Sequence, residues 1–394
     1  MKKVLLAIAA SLILASCTDF VRDTPPLHRV TILYAAAFSN LSSSISEDID
    51  DICRSTLPSL KSGDVFLVYS HMPIRYGYYG VPTSPVLFRA WTDPDGTPRR
   101  DTLITYPDTD VSSSKEVMHK VLSDVQELFP APHYGLIVTS HGRGWIPVGY
   151  EEHYTFAFGG GSGLEPSTRE LCVESVEGSG IDVCDLGEAL PMMFDYIILD
   201  SCLMGCIETA WELRDRCRLL LFSPTEILSD GMMYNTMGPL LTNVVTPDIK
   251  RIAREYYEHY QSLSGLYQSA TITLIDCSKL EPVANACREL VDKYRIAIDR
   301  TNSAFVQAYF YNDMHWFFDL RDIFVQSGAT EEDIAPLDAA LNDAIVYTAA
   351  TDHFFDLKLE RVCGVSMYKP FGILTDLNNF YRGLSWNQAI GLIQ

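Results

Sequence analysis

The sequence predicts an α/β protein: a mostly parallel sheet with helices on both faces, followed by a smaller C-terminal α+β region. Three observations carry that expectation. The runs Val30 to Ala37, Val65 to Tyr69, Tyr134 to Thr139 and Tyr196 to Leu199 are apolar throughout rather than alternating, as strands covered on both faces are. Amphipathic helical stretches separate several of them, which is what parallel crossovers require. With 394 residues, 47% hydrophobic and 21% charged, the chain is no disordered tail, collagen or disulfide-dense mini-protein, and its length suggests roughly two domains.

In chain order, Lys2 and Lys3 precede an apolar run from Val4 to Leu14 that is too short to span a bilayer and reads as a signal peptide over 1–16. Leu14-Ala15-Ser16-Cys17 resembles a bacterial lipobox, which implies lipidation at Cys17. Cleavage without lipid and an uncleaved anchor are the other readings of this segment. On the lipobox reading the protein is exported and lipid-anchored to a bacterial membrane, on its periplasmic or cell-surface side, and residues 17–28 link it to the anchor. The first strand follows, then a helix over 41–57 with Leu41, Ile45, Ile49 and Ile52 on one face, and the strand 65–69. Val86 to Trp91 and Thr102 to Tyr106 flank Asp95-Gly96, a hairpin signal. Ser112 to Phe129 reads as a helix with a Ser cap and a stripe of Val117, Val121, Val125 and Leu128. After strand 134–139 comes a Gly-rich, aperiodic stretch from about 146 to 180, then a short helix at 185–193, strand 196–199, a helix over 203–213 and a strand at 218–222. The pattern changes beyond about 265, where Ala270 to Ile275 and Gly364 to Tyr368 are isolated strand candidates among helices. This divides the remainder into a sheet domain, 29–264, and a C-terminal region, 265–394.

Lys and Arg total 30 against 51 Asp and Glu, a formal charge of −21. A field of that sign repels phosphate backbones, excludes nucleic acid as a natural partner and attracts cationic substrates. The ten cysteines do not force a disulfide framework: if Cys17 carries lipid, nine remain at uneven spacing in a chain large enough to fold without staples. No C-x-x-C or H-E-x-x-H occurs, which disfavours zinc, and no loop has EF-hand ligand spacing; no cofactor is required, and calcium is possible but unsupported. Gly159 to Gly163 lacks the Lys and Ser/Thr of a phosphate loop, and G-x-S-x-G is absent.

In open α/β sheets, reactive groups collect beyond the carboxyl ends of the strands. Two such ends carry a base and a nucleophile: His141 after strand 134–139, and Cys202 after strand 196–199. At the start of a helix 203–213, Cys202 would gain from the positive end of the dipole as a thiolate. An imidazole beside it can take the thiol proton and later protonate a leaving amine. Gly142 permits close backbone approach, and its N–H is a candidate oxyanion donor. The plainer alternatives are a buried structural thiol at Cys202 and a helix-capping role for Asp200.

Ser140-His141-Gly142-Arg143-Gly144-Trp145 resembles the S-H-G-x-G-W segment of the clostripain family of caspase-like cysteine peptidases. Asp200-Ser201-Cys202-Leu203-Met204-Gly205 resembles its D-x-C-L-M segment. Tyr34 to Ala37 with Asn40-Leu41, Thr225-Glu226 with Asp230-Gly231, Asp319 to Asp322 and Gly364 to Tyr368 extend the likeness over about 28 to 371. The resemblance implies a caspase-like catalytic domain over 29–264, His141 as base, Cys202 as nucleophile, and an oxyanion hole from the backbone at Gly142 and Cys202. It makes Asp200 the acid of a pocket for Arg, or Lys, before the cut; a carboxylate suits a guanidinium by bidentate, charge-assisted bonding. Glu226 and Asp230 are secondary substrate-binding candidates, read as solvated loop acids. Ser201 and Met232 replace the family's usual Ala and aromatic. Such peptidases often cut themselves between the His and Cys segments, and Arg169 is the one Lys or Arg from Gly144 to Leu213. The implied activity is a self-processing endopeptidase acting on proteins or peptides with basic residues; the alternative is a catalytically silent surface binding lipoprotein of the same fold.

Overall fold

The computed structural model describes residues 25–78, 80–150, 180–309 and 316–394. The lipobox with Cys17 and the candidate cut site Arg169 lie outside them. No helix among the described residues is long and apolar enough to cross a membrane. The strands in chain order are β1 (Arg29–Ala36), β2 (Asp64–His71), β3 (Val86–Thr92), β4 (Pro98–Thr105), β5 (His133–Thr139), β6 (Phe194–Asp200), β7 (Cys217–Phe222), β8 (Thr271–Asp276), β9 (Phe318–Asp319), β10 (Ile345–Ala350), β11 (His353–Phe354), β12 (Leu357–Lys358) and β13 (Ser366–Met367). Nine form one sheet in the order β10-β8-β7-β6-β5-β1-β2-β3-β4. The run β7-β6-β5-β1-β2 is parallel, and antiparallel strands complete both edges.

The uniform apolarity of the central segments has its expected consequence, since every residue of β1 and β2 is buried. Ile45, Ile49 and Ile52 of helix Ser42–Arg54 are buried, as are Val117, Val121 and Val125 of helix Lys115–Leu128. Each such side chain contributes about 1.5–3 kcal/mol of transfer free energy. Leu128, expected on the same stripe, is half exposed. Ser114 caps that helix, accepting from the Val117 N–H. At the Asp95-Gly96 turn, Gly96 takes φ +85°, the conformation a hairpin turn asks of glycine. The solvated edge strand β4 carries Arg99 and Arg100, charges that discourage edge-to-edge pairing.

Three expectations differ from the structure. The helix read over 203–213 is Ile207–Leu213. Leu203 takes φ +60°, a left-handed conformation costly for a branched chain, and residues 202–206 make a turn instead. Its N–H donates to Thr225 O at 3.0 Å and that of Gly205 to Ser223 O at 2.7 Å, which hold the turn in place. The short helix read at 185–193 is Val183–Leu186. The chain beyond 265 keeps its mixed character, but β8 and β10 extend the central sheet, while β13 pairs with β9 beside it. The parallel order places β1 between β5 and β2, so the chain reverses direction across the sheet at β1. The crevice beyond the carboxyl ends of β1 and β5 is the place for a site.

Candidate active site

Thr139 of β5 is in register with Asp200 of β6, so His141 and Cys202 each lie two residues past paired positions on neighbouring strands. Their segments touch. A Cβ added at Gly142 would stand 2.3 Å from Cys202 O and 2.8 Å from Cys202 N, so only glycine allows this approach. The two peptide groups read as oxyanion donors are thereby neighbours. Gly144, at φ +58°, is confined in the same way against Leu203 O and the ring of Phe317. Ser140 and Ser201 meet side chain to side chain at 3.3 Å.

The imidazole of His141 is half-buried, and its Nε2 lies 2.7 Å from Oδ1 of Asn40, just past β1. With that oxygen accepting, Nε2 carries the proton and Nδ1 is the basic nitrogen. In the sequence Asn40 stands only within the family-like segment that follows Tyr34 to Ala37, with no motif that marks a role. Its signal was position, since β1, β5 and β6 are adjacent and Asn40 follows the first of them.

Cys202 is completely buried. Its Sγ accepts from the Ile227 N–H at 3.2 Å and lies 3.7 Å from Ile227 O. The thiol therefore meets both backbone groups of one residue, Ile227, in the loop that follows β7. The dipole argument for a thiolate does not survive, because Cys202 precedes Ile207, the first residue of a short helix, by five positions. The capping role for Asp200 fails on the same ground, as the N-cap position is Cys206.

Asp200 is fully buried, and its Oδ2 accepts from the Tyr234 hydroxyl at 2.7 Å. Tyr234, which no sequence motif marks, opens helix Tyr234–Leu241. The two secondary acids part company: Asp230 is exposed, whereas Glu226 is wholly buried beside Ile227 and is no solvated loop acid. Met232, just past this loop acid pair, is buried as well.

A cleft of about 120 Å³ opens at His141, with Tyr34, Val138 and Leu199 along one wall. These three are in register on one face of the sheet. Asp200, one residue beyond Leu199, points to the opposite face, so this cleft is not the acid-lined pocket. Among the described residues no cluster of three or more His, Cys, Asp or Glu is arranged to hold a metal ion.

The family model of the clostripain family, peptidase C11, matches residues 33–352. The chain belongs to the clostripain family. Clostripain-family cysteine proteases also lead the solved structures it resembles. An inactive zymogen C11 protease from Parabacteroides distasonis superposes with a TM-score of 0.77 at 26% identity, over 93% of this chain and 99% of that one. A secreted C11 cysteine protease from Bacteroides thetaiotaomicron, iotapain, gives 0.76 at 22% identity, over 93% and 100%. A structure of a secreted C11 cysteine protease from the same species, in complex with an irreversible peptide inhibitor, gives 0.73 at 23%, over 92% and 99%. No curated protein matches the chain. The caspase-like fold expected from the motifs is thus the fold observed.

Proposed function

We propose that this clostripain-family protein is an endopeptidase that cuts after Arg, or Lys, with Cys202 as nucleophile and His141 as base. The observation that carries the reading is the pairing of Thr139 with Asp200 together with the contact of Gly142 on Cys202, which makes neighbours of the two segments. Nδ1 of His141 takes the thiol proton as sulfur attacks the scissile carbonyl; the oxyanion is met by the backbone at Gly142 and Cys202. The imidazolium then protonates the leaving amine, giving a thioester and a free amino terminus. A water, deprotonated by the same imidazole, hydrolyses the thioester and restores the thiol.

Asp200 is the acid that receives the cationic side chain, and Tyr234 orients it through Oδ2. Full burial of Cys202 and Asp200 supports a latent state that must open before substrate enters. A zymogen among the structural relatives and a lone basic residue, Arg169, support activation by self-cleavage after that residue. The relative captured with a peptide inhibitor supports peptide substrates. The chain is exported and carries lipid on Cys17, which detergent phase partition of wild type beside Cys17→Ala tests.

Fluorogenic peptides ending in Arg, Lys or Asp, offered to wild type and Cys202→Ala, test the activity. Turnover of the Arg and Lys peptides by wild type alone supports it. No turnover of any peptide after attempted self-processing favours the silent binding protein instead.

A further inference from the structure

Glu208 lies six residues beyond Cys202 in helix Ile207–Leu213 and is completely buried. Its Oε1 accepts from the Tyr381 hydroxyl at 2.6 Å and from the Tyr368 N–H at 2.9 Å. The Cys206 thiol stands beside the same carboxyl group. Burial, opposed by these donors, pushes the carboxyl up to about 7. A carboxyl group in a core without a cation costs stability. An aliphatic side chain would fill the space more cheaply, so the acid calls for a reason, and its position supplies one.

β13 clamps the chain just after the Cys202 turn. The Ser366 N–H donates to Gly205 O at 3.0 Å, and two residues on, Tyr368 donates to Glu208. The His141 segment reaches the same place from the other side. Trp145, fully buried, packs its ring 4.5 Å from that of Tyr368 and 5.0 Å from that of Tyr381. Gly144, next to it, abuts Leu203 O. The two segments that leave the candidate dyad therefore end on one pair of tyrosines, and Glu208 binds both members of the pair.

We propose that Glu208 is a positioning residue: by holding Tyr381 and the backbone of Tyr368 it sets the separation between the His141 and Cys202 segments. This rests on the reading of those two residues as the reacting pair. Glu208 touches no substrate and acts through the bracket it closes. The bracket needs an acceptor oxygen rather than a charge, so glutamine preserves it. An apolar side chain fills the space and releases the C-terminal tyrosines, and small displacements of reacting groups are expensive in rate.

The test is kcat and KM per titrated active site, with Tm, for wild type, Glu208→Gln, and the double variant Glu208→Leu/Tyr381→Phe, which leaves no orphan hydroxyl. We expect kcat of the glutamine variant within about twofold of wild type, and kcat of the double variant down about tenfold with KM unchanged. Tm of the double variant should not fall in proportion. Wild-type kcat per titrated site in the double variant, or equal loss in the glutamine variant, overturns the positioning role. Wild type that labels nowhere and turns over no peptide fails earlier, at the dyad itself, and takes this inference with it.

Discussion

Nε2 of His141 and Oδ1 of Asn40 lie 2.7 Å apart although 101 residues separate them in the chain. The bond joins the ends of β1 and β5, the two strands between which the sheet order reverses. It fixes the tautomer in which Nδ1 is basic. Asn40→Ala should lower kcat about tenfold with little change in KM, because the imidazole loses its orientation. Asn40→Asp should behave differently. A carboxylate beside the ring favours imidazolium, so the acid limb of the kcat/KM profile should move about one pH unit upward. An unmoved acid limb would remove Asn40 from contact with the working base.

The backbone contact at Gly142 yields a prediction about shape. Gly142→Ala puts a methyl group 2.3 Å from Cys202 O, so one of the two segments must retreat. Peptide turnover should fall by about 100-fold or more, since both oxyanion donors shift together. Gly149→Ala is a suitable control: its added Cβ meets nothing within 4 Å, though its own φ of +80° carries some strain. Equal activity in both variants would contradict the close approach.

Much of the frame was legible in the chain. The central strands read correctly because their middles are buried on both faces and almost wholly apolar, as Ile32 to Ala36 of β1 and Val65 to Tyr69 of β2 illustrate, while the polar ends Arg29, Asp64 and His71 fell outside the reading. The start of the helix after Cys202 was not legible. Apolar periodicity runs back to Leu203, but whether that residue is helical or left-handed depends on Thr225 O, a tertiary partner. Glu226 was misread for a related reason: its neighbours Thr225 and Ile227 are bonded into the core, and no local pattern announces that. Asn40 and Tyr234 act through contacts made far along the chain, which spacing alone does not reveal. His141, Gly142 and Cys202 stood out because each ends or follows a strand that the sequence marks clearly.

Glu208 makes stability depend on pH. Its carboxyl, near 4.5 in an unfolded chain, is pushed up to about 7 by burial, so the folded state binds the proton more tightly. Its contribution is fully favourable below the unfolded value and is lost as pH rises through about 7, a change on the order of 3 kcal/mol. Asp319, buried and raised to about 6, adds in the same direction. Denaturant midpoints from pH 4.5 to 8 should therefore decline for wild type and decline less for Glu208→Gln. Parallel curves for the two proteins would show that Glu208 does not titrate in this range.

Self-cleavage after Arg169 predicts that purified wild type resolves into two fragments on denaturing electrophoresis under activating conditions. Cys202→Ala and Arg169→Ala should each remain one band. Processing of Arg169→Ala at its usual rate would move the cut elsewhere, and processing of Cys202→Ala would assign it to another protease.

The identity of the nucleophile can be read directly by mass. Wild type is treated with an irreversible peptide ketone ending in Arg, digested, and searched for the modified thiol among its cysteines. The account predicts a single adduct on Cys202, formed slowly or not at all in His141→Ala. An adduct on any other cysteine, or full turnover of Arg peptides by a protein whose Cys202 stays unmodified, would contradict it.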